Sequence, residues 1–196
     1  YRNAIGCDYL AVPFLGAEQR PCTPSFAGVL RTIYQFGCLC RDNGIQLLYH
    51  NHDFEFVSFS GMYALDFLYA AMPEDVLKTE IDVCWVKYAG EDPAAYLRKY
   101  AGRAPVVHLK DFVGRKEGDA APYGLLGQSE TKAAGEVPFE FRPVGYGCQD
   151  VSAVAEAGLD AGAKWFVVEQ DASVGRTPLE AAAMSIDTLR KIGLKG

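Results

Sequence analysis

The chain has 196 residues, 49% of them hydrophobic and 12% aromatic, with 19 Lys and Arg against 25 Asp and Glu for a net charge of −6. That supplies enough apolar material for a single domain spanning 1–196. No Lys/Arg run appears, which argues against a nucleic acid partner, and no apolar run reaches the length of a membrane span. The six cysteines, at 7, 22, 38, 40, 84 and 148, form no CxxC and are expected as small core hydrophobes of a reducing, cytoplasmic setting. The chain begins Tyr1-Arg2-Asn3 without an initiator methionine, and is expected to be processed or part of a longer product.

Taken in order, Cys7 to Phe14 (CDYLAVPF) predicts a strand. Ser25 to Asp42 predicts a helix from Phe26, Val29, Leu30, Ile33 and Tyr34, stopped by Asn43-Gly44. Ile45 to Tyr49 is the second strand. Met62 to Ala71 is an apolar-periodic helix ended by Pro73, and Thr79 to Trp85 (TEIDVCW) predicts a third strand. Asp92-Pro93 pairs an N-cap residue with proline at the first helical position, opening a helix through Tyr100. Ala104 to Leu109 is a fourth strand. Phe112 to Gly147, rich in Gly, Pro, Lys and Glu, predicts a long loop of the kind that forms lids or binding loops. Asp150 caps a helix to Ala161, Lys164 to Glu169 is a fifth strand, and Thr177-Pro178-Leu179-Glu180 has the spacing of a capping box that opens the last helix. Five strands alternating with helices, each strand a continuous apolar run, predict an α/β fold whose parallel sheet is covered on both faces.

The chemistry-bearing residues gather at the ends of these strands. The second strand runs into His50-Asn51-His52-Asp53 with Glu55 just beyond; the third contains Glu80 and Asp82; the fourth ends in His108, Lys110 and Asp111; the fifth ends in Glu169, Gln170 and Asp171. All three histidines of the chain are in this set. Parallel strands put their C-termini on one face, where α/β folds build their sites. Each residue alone is as well explained by a structural hydrogen bond. Together they form a mixed nitrogen and oxygen donor set suited to one divalent ion such as Mn²⁺, Co²⁺, Zn²⁺, Fe²⁺ or Mg²⁺. Alternation along a strand predicts that His50 and His52 point the same way, with Asn51 opposite, so long as the strand reaches His50. Trp85 is expected in the packing, or as the floor of a sugar site.

YHNHDFEF, EIDVCWVKYAGEDPAAYLRKY, VVHLKD and VVEQD resemble the motifs of the sugar phosphate isomerase/epimerase family, the xylose isomerase-like TIM barrels of the AP endonuclease 2 superfamily. The resemblance extends from Ala4 to about Gly193. It implies a (β/α)8 barrel, here a partial one of about five βα units, because the first strand resembles the family's fourth. An open partial barrel leaves sheet edges unpaired, so a homo-oligomer is expected. It also implies a divalent metal held by one residue from each of four strands, of which Asp82, His108 and Glu169 carry over. Where the family has a glutamate as first ligand, this chain offers His50, His52 or Glu55. Trp85 stands where many relatives carry a substrate-contacting histidine.

What the resemblance implies for activity is metal-dependent isomerisation or epimerisation of a small sugar, keto-sugar or polyol. Glu169 is the expected base, His52 or Glu55 the acid or second base, and Lys110 a stabiliser of developing negative charge, with His50, Trp85 and Asp111 in contact with substrate. The alternatives are a lyase or dehydratase acting on an inosose or oxidised glycoside, and a non-catalytic barrel fragment. Hydrolysis of DNA phosphodiesters would need more histidine ligands and a basic groove.

Overall fold

The computed structural model describes Ala4 and residues 6–114 and 139–194. Five parallel strands form the main sheet: β1 (Tyr9–Val12), β2 (Gln46–His50), β5 (Lys78–Asp82), β6 (Val106–Leu109) and β9 (Trp165–Val168), side by side in that order. The register aligns the strand ends, with Val12 beside Tyr49, His50 beside Glu80 and Asp82 beside His108. Two antiparallel ribbons lie outside this sheet, β3 (Ser58–Phe59) with β4 (Met62–Tyr63) and β7 (Asp111–Val113) with β8 (Glu140–Arg142). The α/β fold and the five parallel strands of a partial barrel are as expected from the sequence.

The helices are α1 (Phe26–Asp42), α2 (Ala64–Ala70), α3 (Val83–Tyr88), α4 (Pro93–Lys99), α5 (Val151–Asp160) and α6 (Pro178–Lys191). α1 ends where Gly44 takes a φ of +71°, a conformation glycine adopts without penalty. Within α1, Gly37 lies so close to Val76 that an added Cβ would sit 2.6 Å from the Val76 carbonyl oxygen, so the helix needs glycine there to pack. The side chains of Asp92 and Asp150 accept hydrogen bonds from Ala94 N and Ala153 N and start α4 and α5. Thr177 and Glu180 cap α6 reciprocally.

Three expectations are corrected. The third strand stops at Asp82 rather than Trp85, because the Asp82 carboxylate accepts from Cys84 N at 2.8 Å and Trp85 N at 3.3 Å and turns the chain into α3. The expected loop from Phe112 to Gly147 carries ordered pairing at both ends, since β7 and β8 fall inside it; residues 115–138 lie outside the described residues. Of the cysteines, Cys40 and Cys84 are buried, but Cys7, Cys22 and Cys148 are exposed; all six are free thiols.

The core lies between the sheet and its helices. Leu47, Tyr49, Ile81 and Val107 project from the strands towards Leu65, Leu68, Leu97, Val154 and Ala157 of the helices. Each such side chain contributes roughly 1.5–3 kcal/mol when withdrawn from water. A smaller aromatic cluster of Trp85, Tyr88, Phe112 and Phe141 packs around α3 and the β7–β8 ribbon. The other face of the sheet is not covered throughout: on the edge strand β9, Trp165 is 62% and Val167 40% exposed. No helix among the described residues is long and apolar enough to cross a membrane.

Candidate metal centre

Period-two alternation and the register carry the site. Glu80 and Asp82 share one face of β5, and His108 of β6 lies beside Asp82. His50 ends β2, and Glu169 follows β9 directly. One ligand atom from each of His50, Asp82, His108 and Glu169 lies within 4.8 Å of the others. The two imidazoles meet Nδ1 to Nδ1 at 2.9 Å. His50 Nε2 stands 3.6 Å from Asp82 Oδ2, and His108 Nε2 stands 3.6 Å from Glu169 Oε2. Glu80 Oε1 is 3.4 Å from His108 Nδ1.

Lys110, almost fully buried, sends its ammonium into the same space. It pairs with Glu169, with Asp171 Oδ2 at 3.0 Å and with Asp82 Oδ2 at 3.6 Å. Burial alone would push this lysine down, but the three carboxylates outweigh it and hold it above its ordinary value. The imidazoles go the other way. Burial, reinforced by the neighbouring cation Lys110, lowers His108 to about 4 and His52 to about 3, and burial with the His108 and His52 charges takes His50 well below its usual range. All three are therefore neutral at physiological pH, the state in which imidazole binds metal. Burial raises Asp82 to about 7 against the pull of Lys110, and raises Glu80 to about 7 with help from Glu169.

These residues fit a divalent ion. Asp82 commits Oδ1 to the α3 cap, while Oδ2 takes no hydrogen bond among the described residues. Two neutral imidazoles and two carboxylates give a donor set whose formal charge matches a dication, and burial of such acids is otherwise costly. The ammonium of Lys110 already lies among these oxygens, so the pocket is arranged around positive charge.

The structure brings Asp82, His108, Glu169, His50 and Lys110 together. It does not bring Glu55, His52, Asp111 or Trp85 to the ligand cluster. β2 ends at His50, and the next residues turn into a short 3-10 segment, Asp53–Glu55. Glu55, wholly buried, there accepts from the Tyr49 hydroxyl at 2.6 Å and from His52 N at 2.8 Å; burial raises it to about 8. It is held by Tyr49 and His52 and is not one of the four residues of the ligand cluster. His52 does share a side with His50, ring centroids 5.1 Å apart, but it is stacked between Phe54 and Trp85. Trp85 is fully buried and forms an aromatic wall behind the site, 5.7 Å from the Lys110 ammonium. Asp111 spends both oxygens on backbone amides: Phe112 and Gln149 donate to Oδ1, Gly145 and Gly147 to Oδ2. It anchors the 145–149 segment. Two residues that the strand ends present without an assigned role also contribute. Glu80 shares Asp82's face by strand alternation alone, and Asn51 clamps β2 to β5 through Asp82 N at 3.0 Å and Asp82 O at 3.3 Å.

Known structures place this geometry in context. Two sugar phosphate isomerase/epimerase structures from Parabacteroides distasonis ATCC 8503 superpose with TM-scores of 0.69 and 0.68 at 23% and 20% identity. They cover 95% and 94% of this chain, which spans 60% and 58% of theirs. The probable 3-DHS dehydratase AsbF of Bacillus anthracis matches with a TM-score of 0.68 at 13% identity, over 95% of this chain and 65% of its own. No curated protein matches the chain in sequence. The family model described as xylose isomerase-like TIM barrel matches residues 1–192. The chain therefore belongs to the xylose isomerase-like TIM barrel family.

Proposed function

We propose that the chain is a divalent-metal-dependent isomerase or epimerase that acts on a small sugar, keto-sugar or polyol by removing a proton beside a carbonyl. The observation that carries this reading is the convergence of His50, Asp82, His108 and Glu169 at one end of four neighbouring strands. Asp82, His108 and Glu169, with His50 beside them, are the residues that would hold Mn²⁺, Co²⁺, Mg²⁺ or Zn²⁺. When bound, the ion supplies Lewis acidity, polarising a chelated carbonyl and acidifying the adjacent C–H.

The remaining chemistry belongs to the side chains. Glu169 is 39% exposed while Asp82 and the two histidines are 11% or less, so it is the carboxylate a substrate can reach, and it acts as the base. Lys110 keeps its charge and offers an ammonium to oxygen that becomes negative as the proton leaves. The aromatic wall of Trp85 and Phe141, 5.7 and 5.4 Å from that ammonium, keeps water from its far side.

A dehydratase or lyase is the second reading, favoured by the paired imidazoles and by the fold likeness to a probable dehydratase. Proton removal would be the same, followed by loss of water or an aglycone.

The test is metal content by elemental analysis, then solvent deuterium exchange into a panel of keto-sugars and polyols. About one equivalent of divalent ion is expected, lost in His108→Ala. Deuterium incorporation without loss of water or an aglycone supports isomerase or epimerase action; a product with enone absorbance supports elimination. No metal and no exchange overturns the proposal.

A further inference from the structure

The ammonium of Lys110 sits on the oxygens that a divalent ion would use. Asp82 has one oxygen to offer, Oδ2, because Oδ1 accepts from Cys84 N and Trp85 N. Lys110 Nζ lies 3.6 Å from that oxygen. It also pairs with Glu169 Oε2, the oxygen that stands 3.6 Å from His108 Nε2. Both carboxylates of the four-residue cluster therefore already hold a cation.

This cation has no route of retreat into water. The Lys110 side chain is 2% exposed, and its ammonium lies 5.7 Å from the Trp85 ring and 5.4 Å from the Phe141 ring. Among the described residues it has one further anion, Asp171, with Oδ2 at 3.0 Å. Asp171 is not a member of the cluster, and Glu80, which meets His108 at Nδ1, is not paired with the lysine. The segment that carries Asp171 is tied by Gln170, whose amide donates to Ala172 O at 2.9 Å and to Ser173 Oγ at 3.3 Å.

Formal charge then divides into two neutral sets. A dication with Asp82 and Glu169 sums to zero, and so does Lys110 with Asp171. Without Asp171, the dication and the ammonium would share two carboxylates and leave one positive charge uncompensated in a largely buried site.

We infer that Lys110 and the divalent ion compete for Asp82 and Glu169, and that Asp171 is the positioning residue that keeps Lys110 as its partner when the ion is bound. This deepens the metal-site reading above and rests on it for the ion. Asp171 acts on the ion through the lysine and does not touch it.

Calorimetric titration of Mn²⁺ into the full chain, first stripped with chelator, tests this. Lys110→Met removes the competing charge and should bind Mn²⁺ about tenfold more tightly. An equal or weaker affinity overturns the competition. Asp171→Asn should bind about tenfold more weakly, and Asp171→Glu should return most of that loss. Combining the changes decides whether Asp171 works through the lysine. In the Lys110→Met background, Asp171→Asn should alter the affinity by less than about threefold. An undiminished effect there overturns the positioning role. Urea midpoints check that each variant folds, and Lys110→Gln carries the same comparison should Lys110→Met not fold. No Mn²⁺ uptake by either the unaltered chain or Lys110→Met overturns this inference together with the functional proposal. The expected affinities without deuterium exchange into any substrate leave this inference standing and remove the functional one.

Discussion

At the end of β5 and at the start of β7 the chain buries an aspartate almost completely, Asp82 at 0% and Asp111 at 1% exposure. Both stand at one end of a strand and both look alike on paper. Asp111 has four backbone amides on its two oxygens, gathered from Phe112, Gly145, Gly147 and Gln149. Asp82 satisfies one oxygen with two amides of α3 and leaves the other facing His50 and Lys110. The difference is one of saturation: a carboxylate filled by amides holds the backbone, and one with an oxygen left over can hold a cation.

The largest expected effect separates the two by function. Asp82→Asn keeps an oxygen for the α3 cap but removes the charge at the ion; metal content should fall to background and activity by about a thousandfold or more, with the urea midpoint little changed or raised. If the variant binds metal normally, the distinction collapses.

Asp111→Ala tests the other side. It strands buried amides and should cost on the order of 3–5 kcal/mol in urea unfolding, while whatever remains folded keeps its metal stoichiometry. The close fit of Gly147 sharpens this, since an added Cβ there would lie 2.2 Å from Asp111 Oδ1; Gly147→Ala should destabilise by displacing the same carboxylate.

Acid pH sharpens the contrast from the imidazole side. The buried histidines have native values below that of the unfolded chain, about 6.5, so their contribution to stability is full above pH 6.5. It is lost as pH falls towards about 4 for His108 and about 3 for His52. Each such ring contributes a loss of up to about 1.4 kcal/mol per pH unit in the metal-free protein. Asp82, Glu80 and Glu55, which burial raises to about 7, 7 and 8, contribute in the opposite direction. His52→Phe should make that slope shallower without changing metal stoichiometry.

The smallest effect is a control remote from both acids. Thr177 accepts from Glu180 N at the start of α6, and Thr177→Ala should cost about 1 kcal/mol by thermal unfolding and leave the ion site untouched.

Much of this was legible in the sequence because it follows local rules. Asp92-Pro93, Asp150 and the Thr177–Glu180 box announced their helices, and four strands ending in acids or imidazoles announced the site. What was hidden depends on contacts between distant residues or on a change of period without a change of polarity. Val83 to Val86 (VCWV) is as apolar and β-branched as a buried strand, so nothing in its composition marks the switch to helix at Asp82. Asp111 seemed free because its partners at Gly145, Gly147 and Gln149 lie 34 to 38 residues further on. His50 could not be told from His52 or Glu55 as the member of the cluster, because the choice turns on where β2 ends, and strand ends are poorly marked by sequence.

Lys110 gives the site an internal counterion. Clustered acids that depend on a metal for neutrality commonly make the apo form unstable, so that chelation and unfolding occur together. Here an ammonium tethered to β6 already offsets part of the charge of Asp82, Glu169 and Asp171. Chelator should therefore strip the ion and leave the fold standing, which makes loading reversible and sets occupancy by the free metal concentration around the protein rather than by its folding history.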